Sequence, residues 1–555
     1  MGSKTSDDQV GKTSEIQDVS NLLARVDKLN QLGIALSSER DTKRLLENIL
    51  LGAKDLTNAD AGTMYTKTVE ETLKFEIIRT DSLNIAMGGT TGVDIPYPAL
   101  PLYKNGQPNL QMIAAAAALR DTTINIPDAY EAEGYDFSGT KKFDQMTGYR
   151  SKSFLTVPLK NHENEIIGVL QLINAKDAHT GNIIAFSKAD QQLAESLASQ
   201  AAISMTNQRL IEDLKKLFES FIEAIANAID DKSEYTGGHC ERVPVLSELL
   251  AKAARRCEDG VLKDYQPTEE DIYELRIAAW MHDCGKVVTP EYVVDKATKL
   301  ETIHDRIHTV DTRFEVLKRD AEIAFLRRKM EAMEQGDHAA IAAMEEDFSQ
   351  SIAKIKSDQA FVREVNVGGE FMSAERQNRV LEIGKTQWTD GTGTKVNFLT
   401  EDEIKNLNIA KGTLTPEERT IINHHVVATQ NMLRTLPFPK HLRRVPEMAG
   451  SHHEAINGRG YPDGLTGDQM SVGAKIMAIA DIFEALTAAD RPYKPAKTLS
   501  ESLKILGFMK KDQHIDPDLF KVFIKEKVYL EYAQTYLNPK QIDDVIPEKI
   551  PGYDP

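Results

Sequence analysis

The spacing of apolar positions changes several times along the 555 residues, and each change marks a new kind of element. From Ile16 onward, Leu22, Leu23, Val26, Leu29, Leu32 and Ile34 recur at helical spacing, which predicts a helix with one apolar stripe. Leu45, Leu46, Ile49, Leu50 and Ala53 predict a second helix over about 42–57. The period then shortens. Segments 61–67 and 72–79 read as strands, Gly88-Gly89-Thr90 and the Pro96 to Pro101 stretch interrupt them, and 153–159 with 166–174 form a hairpin across Asn161–Asn164. From Ser187 to Asp231 there is neither Gly nor Pro, while Leu193, Leu197, Ala201, Met205, Leu210, Leu214, Phe218, Ile222 and Ile225 keep a helical spacing. One unbroken helix there is roughly 65 Å long and a natural seam for a parallel dimer. Two helices, each packed on its own domain, give the same pattern.

Beyond 231 the pattern is helical almost throughout. Val245, Leu246, Leu249, Leu250 and Ala253 mark one helix, and 272–280 another. Segment 302–357 is highly charged, helical, and broken at Gln335-Gly336-Asp337, which predicts an antiparallel helical hairpin. Segment 364–413 is looser, and the tail after Asn538 is proline-rich and irregular. The length is too great for one core and implies several domains. A net charge of -18 argues against a nucleic-acid partner held on a basic face. The three cysteines (Cys240, Cys257, Cys284) have no paired spacing, which fits a reducing, cytoplasmic setting. Residues 1–15 are polar and read as a disordered tail without an apolar leader, and the apolar run Met112–Leu119 is far too short to span a bilayer.

Candidate chemistry sits in the helical half. Ser451 to Pro462 reads S-H-H-E-A-I-N-G-R-G-Y-P: adjacent His452 and His453, then a glycine-rich loop closed by proline. Upstream stand His239 and the vicinal pair His282-Asp283. An imidazole and a carboxylate side by side can both reach one metal, or the carboxylate can bridge two. Lys286 follows His282 by one helical turn and can face the same site, although a lysine ending a helix at the surface has the same spacing. Gly458 and Gly460 permit close backbone approach.

Several ordered blocks carry a family resemblance. Tyr235-Thr236-Gly237-Gly238-His239-Cys240-Glu241-Arg242-Val243, His282-Asp283-Cys284-Gly285-Lys286, Leu414 to Glu418 followed by His425, His452 to Pro462, and Ala478-Ile479-Ala480-Asp481 through to Asp490-Arg491-Pro492-Tyr493 resemble an HD-GYP domain over 220–535. Family members degrade cyclic di-GMP. The strand pair Ser153–Leu159 and Ile167–Asn174 resembles that of a GAF sensor domain, over about 40–206. Asn174, Lys176, Phe186 and Asp190 loosely follow the N-K-x-x-F-x-x-x-D pattern of cyclic-nucleotide GAF domains; a hairpin end plus a helix cap accounts for the same residues.

The resemblance implies a multidomain α+β chain. It comprises the tail 1–15, an N-terminal helix with an α/β GAF sensor (16–206), a connecting helix (187–231), an all-α HD-GYP domain (220–535) with an inserted helical hairpin, and a tail (536–555). The metal ligands it implies are His239, His282, Asp283, His425, His452, His453 and Asp481, with Asp283 bridging. A mixed imidazole and carboxylate shell suits two divalent ions, iron or manganese, with zinc also compatible. Tyr235 stands where some members place the glutamate that holds a third metal. His304 and His308 rival His425 but lack its flanking block. Asp283 and Lys286 are the implied catalytic pair. Lys286, Arg491 and Lys494 would meet phosphates, and Gly460, Tyr461 and Pro462 would line the pocket. The implied activity is hydrolysis of cyclic di-GMP to pGpG, with or without a second cut to GMP, regulated by a small GAF ligand, in a homodimer with no nucleic-acid or membrane partner. Cyclic GMP-AMP as substrate, or a dinucleotide-binding signalling module without hydrolysis, are the alternatives. The chain departs from the family at 301–412, about a hundred extra residues. They could be a lid, a dimer contact or a partner dock, or simply a solvated hairpin.

Overall fold

The computed structural model describes residues 23–232, 238–258, 260–369, 371–489 and 496–554. The tail 1–15, Leu22, Tyr235, Arg491 and Lys494 lie outside the described residues. The chain divides into two compact units, Met1–Leu217 and Phe218–Pro555.

In the first unit, helix α1 (23–38) is followed by α2 (Thr42–Thr57), which starts where the Asp41 side chain accepts from Arg44 N and stops at left-handed Asn58. The buried face of α1 runs through Leu29, Leu32 and Leu36; Leu23, Val26 and Ile34 of the expected stripe are exposed. Packing sets this rotation. Gly52 of α2 leaves a notch for Leu32, whose Cδ1 would lie 2.8 Å from any Cβ placed there.

Strands β1 (Ala59–Lys67), β2 (Thr72–Thr80) and β3 (Ile85–Gly88) precede the two-residue strands β4 (Leu100–Pro101), β5 (Tyr103–Lys104) and β6 (Gln107–Pro108). Then come α3 (Ile113–Arg120), β7 (Ile124–Ile126), α4 (Ser138–Thr147), β8 (Phe154–Lys160), β9 (Ile166–Lys176) and β10 (Ile183–Ile184). The antiparallel sheet runs β3-β2-β1-β9-β8-β7, with Thr63 opposite Gln171 and Gln171 opposite Thr156. Both faces of its centre are covered. Met64, Leu170 and Leu172 pack with α2 on one side, and Tyr65 and Val169 pack with α3 on the other. That is why β1 is nearly continuously buried instead of alternating.

Helix α5 (Lys188–Asp230) is unbroken, which settles the choice between one helix and two. The second unit is mainly helical: α6 (His239–Arg255), α7 (Glu269–Met281), α8 (Glu291–Val294), α9 (Ile307–Glu334), α10 (His338–Asn366), α11 (Ala374–Gly384), α12 (Glu401–Leu407), α13 (Pro416–Arg434), α14 (Val445–Gly450), α15 (Val472–Thr487), α16 (Leu499–Lys511), α17 (Pro517–Lys525) and α18 (Val528–Tyr536). Its main core joins Leu246, Leu250, Leu275, Ile277, Ile476, Ile479, Phe483, Phe520 and Phe523.

Helices α9 and α10 form the expected hairpin. Its register is fixed by Arg363–Asp311 at 2.8 Å, Lys329–Glu345 at 2.7 Å and stacked Phe325 and Phe348. Segment 364–413 is not loose. It holds α11, α12 and a ribbon of β11 (Gln387–Thr389) with β12 (Lys395–Asn397), an exception to the all-α expectation. Val380, Ile383, Phe398, Leu399 and Leu407 close a core with Phe314, Phe361 and Val362 of the hairpin root. The tail 536–555 is irregular yet packed: Ile550 is buried, and Gln541 donates to the Thr487 carbonyl at the end of α15 (2.8 Å).

Candidate metal centre

His239 is the first residue of α6, behind Gly238 with φ 79°. His282 ends α7, and Asp283 opens a 3-10 turn, Cys284–Val288. This turn lies against α13, which carries His425. A Cβ on Gly285 would come within 2.0 Å of the His425 carbonyl oxygen, so only glycine fits. Thr429, one turn after His425, accepts from Gly285 N–H (2.9 Å) and donates to the His282 carbonyl (3.1 Å). One hydroxyl thus locks two ligand-bearing segments together. His452 and His453 follow α14, and Asp481 projects from the middle of α15.

The structure brings these seven residues together. His239 Nε2 lies 3.1 Å from His282 Nε2, 3.4 Å from Asp283 Oδ2 and 3.2 Å from Asp481 Oδ1. His282 Nε2 lies 3.3 Å from Asp283 Oδ2. The other Asp283 oxygen, Oδ1, faces His425 Nε2 at 3.3 Å. His453 Nδ1 stands 3.9 Å from Asp481 Oδ2. Two groups of candidate metal-binding residues result, His239/His282/Asp283 and His425/His452/His453; within each, the ligand atoms lie within 4.8 Å of one another. Asp283 presents one oxygen to each group.

The electrostatics fit a cation. Nε2 of His425 and Nε2 of His452 are buried without a hydrogen-bond partner among the described residues, although a buried polar atom is ordinarily paired. Their Nδ1 atoms are fixed by the carbonyls of Ile422 and Ala449, both at 2.5 Å, so each Nε2 lone pair points inward. Burial holds His452 neutral, well below the usual histidine range, and pushes His453 down to about 4. Burial opposes charge on Asp283, but Lys286, His282 and His239 overcome it and hold the carboxyl far below its ordinary value. For Asp481, the His239 and His282 contacts do the same. For His239, burial is outweighed by Glu484, Asp283 and Asp481, and its pKa is raised. The donor set is imidazole and carboxylate with no thiolate: Cys240 and Cys284 adjoin it but are buried with raised pKa, first by burial itself.

Lys286 is half-buried, and its Nζ donates to Asp283 Oδ2 at 2.6 Å, so it faces the site. His425 is buried, whereas its neighbour His424 and the rivals His304 and His308 are exposed. The Tyr461 ring lies 4.9 Å from that of His453, and the Tyr461–Pro462 peptide is cis. A Cβ on Gly460 would sit 2.3 Å from Ala455 N, so this loop folds back tightly against Glu454 and Ala455, directly after the histidine pair. Glu454 takes no part in the imidazole cluster. Its buried carboxylate accepts from Asp463, Gly464 and Leu465 N–H (2.7, 3.1 and 2.9 Å) and pins the loop.

Sequence reasoning missed Glu484. It is 1% exposed, hydrogen-bonds His239 Nδ1, and accepts from Arg242 Nε at 2.6 Å. The available signal was its place one turn after Asp481 on the same helix. It missed Thr429 as well, four residues after His425. In the GAF-like motif the bland reading fits. Asn174 accepts from Lys152 N–H (2.7 Å), Lys176 pairs with Asp60, Phe186 is buried, and Asp190 caps α5 through Ser187 N–H (2.8 Å).

An antiparallel sheet covered by helices, followed by a helical unit with a buried imidazole–carboxylate cluster, defines an α/β module ahead of a helical domain with a candidate metal centre. Family models agree. The GAF domain model matches 41–205 and the HD domain model matches 401–519. The chain carries a GAF domain followed by an HD domain, and its His282-Asp283 pair lies ahead of the matched segment, across the insertion. Among relatives, 3′3′-cGAMP-specific phosphodiesterase 3 of Vibrio cholerae is 39% identical over 127 residues, 22% of this chain and 26% of that one. A cyclic di-GMP phosphodiesterase of Pseudomonas aeruginosa is 34% identical over 115 residues, 20% and 26%. A cyclic di-GMP phosphodiesterase of Thermotoga maritima is 25% identical over 270 residues, 45% and 68%. The first two matches span about a quarter of those relatives' lengths. Among the described residues, no helix is long and apolar enough to cross a membrane.

Proposed function

We propose that this chain is a cytoplasmic, metal-dependent phosphodiesterase that hydrolyses cyclic di-GMP to pGpG and then GMP, under control of a small GAF ligand. The observation that carries this reading is Asp283, whose two oxygens face two separate imidazole groups. His239, His282 and Asp481 with Asp283 would hold one ion, and His425, His452 and His453 with Asp283 a second, iron or manganese by donor type. Divalent ions held there supply Lewis acids that lower the pKa of a water nucleophile and neutralise charge developing on the phosphate. Lys286 keeps its charge: burial works against it, but Asp283 raises its pKa, so its ammonium stands ready for a phosphate oxygen. Gly460, Tyr461 and Pro462, beside His453, would line the substrate pocket. Arg491 and Lys494 would add cations for the second phosphate. The relatives named for 3′3′-cGAMP favour that dinucleotide as the rival substrate. Incubation of the manganese- or ferrous-loaded protein with each dinucleotide, followed by chromatography, tests the reading. Linear products are expected; intact dinucleotides would overturn it and leave a non-hydrolysing binding module.

The enzyme is proposed as a parallel homodimer seamed along α5. Ile203, Asn207, Leu210, Leu214, Leu217 and Phe221 follow one another in alternating steps of four and three residues. The five apolar ones are 48% to 67% exposed. Asn207 falls where a single buried Asn fixes the register of parallel coils. With Ile211, and about 200 Å² for each large apolar residue, the seam offers about 700 Å² per chain. A pair then buries about 1,400 Å², within the range of stable interfaces.

A further inference from the structure

Two charged residues at the end of α5 reach the metal centre on separate segments. Asp230, the last residue of α5 and 5% exposed, accepts the Cys240 backbone N–H at 3.1 Å. Lys232, two residues on, donates from Nζ to the carbonyls of Val287 (2.6 Å), Thr289 (2.7 Å) and Lys286 (3.1 Å). Cys240 directly follows His239. Lys286 to Thr289 complete the turn that Asp283 opens.

The signs suit the positions. The first N–H groups of a helix lack internal partners, and that end attracts an anion. α6 starts behind Gly238, which has no side chain to offer as a cap. Asp230 provides an acceptor and the negative charge from outside. A helical turn ends in unpaired carbonyls and attracts a cation. Lys232 provides three donors at the end of Cys284–Val288. The helix end behind them is anchored, because Ile222 and Ile229 of α5 are buried in the core of the second unit.

On the metal-site reading above, we infer that Asp230 and Lys232 are positioning residues that tie the end of α5 to His239 on one side and to Asp283 and Lys286 on the other. Hydrogen bonds of 2.6–3.1 Å do not survive a stretch of about 1 Å. A shift or rotation of α5 must therefore drag the two segments or let go of them, and either outcome alters the spacing of the ligand atoms. The helix that leaves the GAF domain is then the input to the site, acting without any contact to substrate.

The test uses the full-length protein, with Mn²⁺ affinity measured by chelator competition, steady-state kinetics and thermal melts. Replacing a group that directly supports a metal ligand typically weakens metal binding about 10- to 100-fold. Lys232 acts one bond further out, so Lys232→Ala should weaken Mn²⁺ binding about three- to tenfold. It should lower kcat with little change in KM, and Lys232→Arg should restore most of both. Asp230→Asn should weaken Mn²⁺ binding as well. Wild-type affinity and kcat in Lys232→Ala, or a lower Tm with both unchanged, would overturn the inference. If Lys232→Ala does not fold, Lys232→Gln, which keeps length and loses charge, gives the same reading. A wild-type protein that binds Mn²⁺ and turns over beside unaffected variants sinks this inference alone; a wild-type protein that binds neither Mn²⁺ nor Fe²⁺ sinks the phosphodiesterase reading itself.

Discussion

Glu484→Gln isolates the residue that holds His239 in place. The glutamate is buried and serves two donors, His239 Nδ1 and Arg242 Nε. Glutamine keeps the shape but offers only one oxygen; its NH₂ must face the other donor. One charge-assisted hydrogen bond is lost, about 1.5–3 kcal/mol, and the anion that raises the His239 pKa disappears. His239 should then hold a metal less firmly, by about 10- to 100-fold in affinity. The metal-induced rise in stability turns this into a measurement. At a Mn²⁺ concentration about 100 times the wild-type Kd, binding stabilises the fold by about 2.7 kcal/mol. With affinity about 30-fold weaker, the same concentration gives only about 0.9 kcal/mol. Urea unfolding with and without Mn²⁺ reads that difference, and it cancels any metal-independent effect of the substitution. At saturating Mn²⁺, kcat should recover much of its wild-type value, because the ligand itself is intact. An unchanged metal-induced increment would refute the argument, and so would a kcat that stays low when metal is saturating.

Other outcomes follow from the same geometry. Asp283→Ala should lose bound metal, by elemental analysis, together with activity, because both imidazole groups lose their shared carboxylate; retained turnover removes Asp283 from the bridging role. Lys299 is 2% exposed, donates to the carbonyls of Leu407 (3.0 Å) and Ile409 (2.8 Å), and has its pKa pushed down by burial to about 8. Between about pH 8 and 10.5 the unfolded chain therefore binds the extra proton, so stability should rise with pH there, by up to about 3 kcal/mol. Urea titrations at several pH values should show this contribution as a stability difference between Lys299→Met and wild type that shrinks as pH rises from about 8 to 10.5. Leu217→Glu places a charge in the α5 seam and should shift sedimentation from dimer to monomer; an unchanged dimer removes the seam.

The seven clustered residues could be picked out in the sequence because each lies in a short block whose neighbours are also constrained. Gly285 must be glycine to clear the His425 carbonyl, and Gly460 to clear Ala455 N, so the motif carries its packing partners with it. Glu484 and His239 are 245 positions apart, and neither block announces the other. The face of α1 was misjudged for a related reason: Leu22 through Ile34 give a plausible stripe, but a notch at Gly52 decides which leucine docks. In segment 364–413, too few apolar residues lie close together to imply a core, since half of that core comes from the hairpin root.

The insertion shows the limit most sharply. Its boundaries could be found by comparing blocks, yet its root is welded to the site in a way no local pattern reveals. Lys296, fully buried, donates at 2.8 Å both to Asn406 in α12 and to Glu418, and Glu418 is the capping-box acid that starts α13. The same helix α13 carries His425 and Thr429. A segment whose sequence also fits a solvated hairpin thus shares a buried lysine with the helix that carries a candidate metal ligand. Removing it would leave Lys296 without Asn406 and strip Leu300 of the core it is buried in, so deletion should damage the site from its base, not merely uncover it.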